Sequence, residues 1–124
     1  MIKRMLAGLI GAMNVANGLV MLFDGLNWYH RVPGVTDTGP YNPHFVQDIG
    51  LAFIVAGGAL LARAWRPTLW PAALTGAAFV TAHAVLHLIG IGHSHHALFD
   101  IALLIVPAFV ALWAALPDKE KSRV

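Results

Sequence analysis

Four apolar stretches of about twenty residues each, divided by short polar breaks, constrain this chain more than any other feature. A bilayer core about 30 Å thick is crossed by roughly 20 apolar residues in a helix. A chain of 124 residues has room for four such crossings and little else. The runs and their breaks predict helices over about 5–23, 43–65, 69–91 and 95–116. The expected fold class is all-α: a four-transmembrane-helix bundle, with residues 1–124 forming a single integral membrane domain in the lipid bilayer. Composition agrees: 58% of residues are hydrophobic and 11% are charged, against about 25% charged in soluble chains. An apolar subunit buried in a complex would share that composition, but not the repeated bilayer-length runs. There is no cysteine, so disulfides, thiolate metal sites and thiol redox chemistry are excluded.

The first run follows Lys3 and Arg4, as the core of a signal peptide would. It continues to Phe23 without an Ala-x-Ala cleavage site, which predicts a retained first span. Gly8, Gly11 and Gly18 lie along it, with Asn14 and Asn17 between. Small residues allow close helix approach in lipid, and asparagine can bond across the contact or support a site. Residues 26–42 are rich in turn formers (Pro33-Gly34, Gly39-Pro40, Asn42-Pro43) and are expected to form a loop, with Trp28 and Tyr29 at the lipid–water interface. Asn42 and Pro43 are a cap and first position for the second helix. The third opens on Ala72, Ala73, Gly76 and Ala77. Ser94 is the expected cap of the fourth, and Pro107 its expected kink.

Basic residues sort by end. Lys3 and Arg4, Arg63 and Arg66, and Lys119, Lys121 and Arg123 fall at one end of the bundle, and Arg31 alone at the other. The positive-inside rule then places both termini in the cytoplasm, in a bacterial inner membrane. The basic residues do not gather on one face, so nucleic acid is not an expected partner.

The same sorting puts all seven histidines at or near the outer face. Five lie between His83 and Asp100. His83 and His87 are four apart and share a helix face, as His96 and Asp100 would on the helix after them. The second span opens His44-x-x-x-Asp48-Ile-x-Leu51 and the fourth His96-x-x-x-Asp100-Ile-x-Leu103. This in-register match suggests two helical-hairpin repeats about an axis along the membrane normal. His30, His93 and His95 read as ordinary loop histidines.

Ionisable groups inside a membrane are costly unless something binds, pairs or wets them. Imidazole and carboxylate together suit a transition metal (copper, zinc, iron or manganese). The expected metal ligands are His44, His83, His87 and His96, with Asp48 and Asp100 as ligands or as hydrogen-bond partners of ligating imidazoles. Metal handling or membrane redox chemistry would follow. Two alternatives compete. One is a haem- or quinone-binding electron-transfer subunit: haem b held between His44 and His87, or a quinone carbonyl or proton held by a buried His–Asp pair. The other is a structural subunit of a membrane complex, in which the histidines only bond helices together. No nucleophile elbow or phosphate loop is present. His83-x-x-x-His87 lacks the glutamate a zincin places after its first histidine. No reaction is therefore assigned.

The length, the glycine-rich first helix (Gly8, Gly11, Gly18), the long first loop and the Gly57-Gly58 step of the second helix resemble the small four-helix membrane proteins of the DoxX-like group. That resemblance implies a four-helix protein associated with membrane oxidoreductase and quinone chemistry. The His/Asp pattern is not part of it, so no functional residue is carried over. The Gly/Ala faces suit a homo-oligomer or a larger membrane complex.

Overall fold

The computed structural model describes residues 1–118. The tail cations Lys119, Lys121 and Arg123 of the orientation argument lie outside the described residues. The fold is an all-α bundle of α1 (Ile2–Phe23), α2 (Gly25–Arg31), α3 (Pro43–Trp65), α4 (Trp70–Gly90) and α5 (Ala97–Ala115), with no strand among the described residues. Counting the 3-10 turns that flank α4, the described residues include four helices long and apolar enough to cross a bilayer. It is an integral membrane protein.

Glycine sets the spacing between α1 and α3. Gly11 lies against Gly57, and Gly18 against Gly50, each pair backbone to backbone. A Cβ built on Gly57 would sit 2.5 Å from the Gly11 carbonyl oxygen and 2.8 Å from the Val15 amide nitrogen. One on Gly18 would meet the Gly50 carbonyl and come within 2.8 Å of Ile54. Without a hydrophobic force between helices in lipid, such approach is how they gain packing energy. Gly76 repeats the device between α4 and α3, where a Cβ would lie 2.6 Å from the Ala56 carbonyl oxygen. The core of α5 is alanine: Ala108, Ala111, Ala114 and Ala115 are buried.

Asn42 caps α3 as expected, its side-chain oxygen accepting from the Phe45 N–H at 3.1 Å, with Pro43 in the first turn. The expected loop over 26–42 differs. Residues Gly25–Arg31 form α2, and Val35–Thr38 a 3-10 turn. Nothing breaks a helix before Pro33, Asn27 bonds Asp24 across the first turn, and the Trp28 indole N–H donates to Asn17 Oδ1 at 2.9 Å. Asn17 therefore ties α2 to α1 rather than one span to another.

The expected kink at Pro107 takes a different form. Asp100–Ile105 is π-helical, and regular helix resumes at Val106–Ala115. Proline has no N–H to give and crowds the carbonyl four residues back. A wider turn just before it absorbs both effects, and such π segments recur at functional sites.

At the basic end, side chains collect the carbonyls left over at helix ends. Lys3 donates to Leu116 and Pro117, and Arg4 to Ala64 and Trp65. The fully buried Arg63 donates to Pro67, Leu116 and the Asp118 carboxylate. The Arg63 hydrogen bond holds the Asp118 carboxyl below the usual carboxylate range, with the charges of Arg63 and Lys3 acting in the same direction. A carboxyl lowered on folding contributes stability that is present above its unfolded value and lost as pH falls through its folded value. Thermal melts of Asp118→Asn against the wild type should therefore differ at neutral pH and converge as pH drops through the acid carboxylate range.

Candidate functional site

The site lies at the end of the bundle opposite that basic end. α4 brings His83 and His87 to successive turns of one face, their ring centroids 4.9 Å apart. α5 then returns beside α4 and sets Asp100 against them: His87 Nδ1 faces Asp100 Oδ1 at 3.3 Å. Asp100 is only 6% exposed. Its second oxygen accepts from the Ser94 hydroxyl at 2.8 Å. Ser94 in turn accepts the backbone N–H of His96 at 3.1 Å, which fixes the turn between the two helices.

This arrangement has a defined chemistry. A carboxylate beside Nδ1 favours the imidazole tautomer protonated there. The far nitrogen of His87, Nε2, is then the basic one. One turn deeper, the His83 ring packs edge-on against Phe53, with centroids 5.5 Å apart, and against His87 on its other side. His83 forms no hydrogen bond among the described residues. It borders a cavity of about 40 Å³ with Ile10, Asn14, Phe53, Val80, Leu103, Leu104, Pro107 and Ala108. That space is enough for water, which needs roughly 10–15 Å³ of such volume. Asn14 donates to the Ile10 carbonyl of its own helix, and its side-chain oxygen remains to serve the cavity. The π segment and Pro107 supply the opposite wall.

The six expected ligands separate into three groups. His83, His87 and Asp100 come together as described. His44 and Asp48 pair with each other at 3.7 Å on the exposed start of α3, with side chains 87% and 57% exposed. His96 turns to Asp37, with Nε2 and Oδ2 3.9 Å apart. Among the described residues no three His, Asp or Glu side chains are arranged to hold a metal ion. The single six-residue cluster expected from sequence is thus not formed. One reason is local: α5 begins at Ala97, so His96 belongs to the turn and does not share a helical face with Asp100. The two His-x-x-x-Asp motifs accordingly have unlike surroundings, Asp48 exposed and Asp100 buried.

Two participants escaped the sequence reading in these roles: Ser94 as donor to Asp100 and Asp37 as partner of His96. Asn14, an amide within an apolar run that the sequence offered as an interhelical bond or a site support, lies beside His83. The 3-10 turn that presents Asp37 starts from Gly34 at φ 81°, a left-handed conformation that suits glycine. His96 passes close to Gly34, 3.4 Å from where a Cβ would stand. The long loop is thereby laid against the mouth of the site.

Compared with known proteins, the chain matches no protein-family model, no curated protein and no solved structure.

Proposed function

We propose that this membrane protein exchanges protons with a lipid-soluble redox carrier of the quinone class, using His83 and His87 as the groups that meet it and Asp100 and Ser94 as the proton store behind them. The observation that carries this reading is the buried Asp100 carboxylate, bonded by Ser94 and facing His87 Nδ1. Buried carboxylates in lipid persist where they are paired and used. A quinone carbonyl needs a hydrogen-bond donor and, on reduction, a proton. An imidazole backed by a carboxylate supplies both once its free Nε2 has taken up a proton. His83, in contact with His87 and without a hydrogen bond among the described residues, lies next along the path toward Asn14. Ser94, His96 and Asp37 lead from Asp100 toward water. Protons would thus be exchanged with the histidine-bearing side, which the positive-inside rule makes the outside of a bacterial inner membrane, with both termini cytoplasmic. The DoxX-like features of the sequence agree with a subunit associated with a membrane oxidoreductase, acting as a homo-oligomer or with a larger complex.

A second reading is favoured by one observation. His83 and His87 sit on adjacent turns, and a carboxylate on the Nδ1 side of an imidazole is how ligating histidines are commonly oriented toward a metal. In that reading the two rings hold copper, zinc or iron, and the remaining ligands come from water or a partner.

One set of measurements on tag-free protein in lipid nanodiscs separates these readings: metal content, an absorbance spectrum, and titration with a short-chain benzoquinone followed by tryptophan fluorescence. The proton-exchange reading expects saturable quinone binding, lost in His83→Ala and weakened in Asp100→Asn, with metal below stoichiometric. About one metal per chain, lost in the His83→Ala, His87→Ala double variant, selects the metal reading. A Soret band selects haem b. No response to any of these leaves the histidines as helix-bonding groups of a structural subunit.

A further inference from the structure

The basic end of the bundle carries a second site, independent of the first. Two arginines are anchored on one residue there. Arg4 of α1 donates through Nε to the Ala64 carbonyl at 2.9 Å and through Nη2 to the Trp65 carbonyl at 3.1 Å. The Arg66 guanidinium stacks over the Trp65 ring, 4.2 Å from its centroid. Each guanidinium is thus held in place by carbonyl or ring contacts that do not neutralise its charge. Neither meets a carboxylate within ion-pair distance among the described residues. The acidic group described at this end, Asp118, is taken by Arg63 at 3.0 Å.

Beside Arg4 the ends of α1 and α3 leave a groove of about 210 Å³, lined by Met1, Arg4, Met5 and Ala64; Arg66 stands next to it, across Trp65. Its lining side chains are apolar apart from that of Arg4. Below it an apolar strip continues along α1, where Met5 and Leu9 are four residues apart on one face and are 66% and 60% exposed. Trp65 is 69% exposed at the same level, the place where indole rings suit the headgroup boundary. A cationic rim, an aromatic at the interface and an apolar strip running into the hydrocarbon match one kind of molecule along its whole length.

We infer that this groove binds an anionic phospholipid, its phosphate on Arg4 and Arg66 and its acyl chain along Met5 and Leu9. Guanidinium takes phosphate through paired N–H donors, and Arg4 keeps Nη1 for it after bonding the two carbonyls. The headgroup charge complements an end where Lys3, Arg4, Arg63 and Arg66 outnumber Asp118 among the described residues. A zwitterionic lipid brings an ammonium toward the same cations and is disfavoured. The occupant is a membrane lipid rather than free phosphate, because the groove opens along the apolar strip and not only to water.

The test is native mass spectrometry of the delipidated full-length protein, titrated with phosphatidylglycerol, phosphatidylcholine and inorganic phosphate. Phosphatidylglycerol should bind at least tenfold tighter than phosphatidylcholine. Arg66→Gln should weaken that preference about fivefold, and Arg4→Gln by a similar factor. The double variant should abolish it, and Arg31→Gln at the opposite end should leave it intact. Arg66 makes only a ring contact through its side chain, so its variant remains informative even where Arg4→Gln weakens the helix ends. Equal binding of the two lipids, a preference that survives the double variant, or full displacement of phosphatidylglycerol by millimolar phosphate would each overturn the assignment.

Discussion

Gly57→Ala is expected to destabilise the bundle by about 1–3 kcal/mol, the usual cost of forcing a methyl group into filled space. The new carbon would sit 2.5 Å from one backbone atom of α1 and 2.8 Å from another. No rotamer change relieves a clash with backbone, so the two helices must move apart over their length. Alanine's better helix propensity, up to about 1 kcal/mol, offsets only part of this. Gly58→Ala is the internal control: nothing lies within 4 Å of its Cβ, so the same change one residue on should be neutral or slightly stabilising. Gly18→Ala should act like Gly57→Ala. Gly18 lies about 10 Å along α1 from Gly11, the partner of Gly57, but both substitutions push the same two helices apart, so the combined loss should fall short of the two separate losses added together. Thermal unfolding in one detergent, read by circular dichroism, orders the wild type, the three single variants and the combined Gly18→Ala, Gly57→Ala variant. A Gly57→Ala protein as stable as Gly58→Ala would show that α1 and α3 do not meet at these glycines.

Asp100→Asn is expected to leave the bundle folded and to slow proton exchange at His87 by about 10²-fold or more, the scale on which positioned acid–base groups act. The amide has nearly the shape of the carboxylate and still accepts from Ser94. It no longer presents a carboxylate to His87 Nδ1. Asp100→Ala goes further: it strips Ser94 and His87 of their partner, which costs about 1–3 kcal/mol for groups so placed. Comparing the two separates chemistry from structure. If Asp100→Asn and Asp100→Ala lose stability equally and the redox partner's turnover is untouched by either, the carboxylate is a helix-bonding group only.

Much of this architecture was legible in the sequence, because bilayer length and helix caps are local signals. The α3 helix was readable from end to end, its cap from Asn42-Pro43 and its stop from the break that ends the apolar run at residue 65. α2 was not, since a seven-residue helix has little stability of its own. It forms where Trp28 can reach Asn17, a contact that follows from the tertiary fold. The π segment of α5 was half legible: Pro107 announced an irregularity, while its form depends on how α5 meets α4. The same distinction governs the site. His83, His87 and Asp100 stood out because ionisable residues in apolar runs demand a reason. Periodicity then overreached, treating His96 as helical and gathering His44 and Asp48 into the same cluster. Which intramembrane groups face one another depends on helix starts and rotations, and a one-residue shift in a helix start decides them. Ser94 and Asp37 lie in turns, where spacing carries no directional information.

The His83–His87–Asp100 group is proposed as a working acid–base site that meets a quinone-class carrier. The most direct test is nitrogen NMR of protein labelled only in its histidine rings, in nanodiscs, with and without a short-chain benzoquinone. One ring should be held as the Nδ1–H tautomer, assigned to His87 by substitution and released in Asp100→Asn. Quinone should shift the His83 and His87 signals while those of His30, His44, His93 and His95 stay in place. Quinone shifts confined to the exposed histidines, or none at concentrations that saturate the lipid, would rule out a quinone site at these rings.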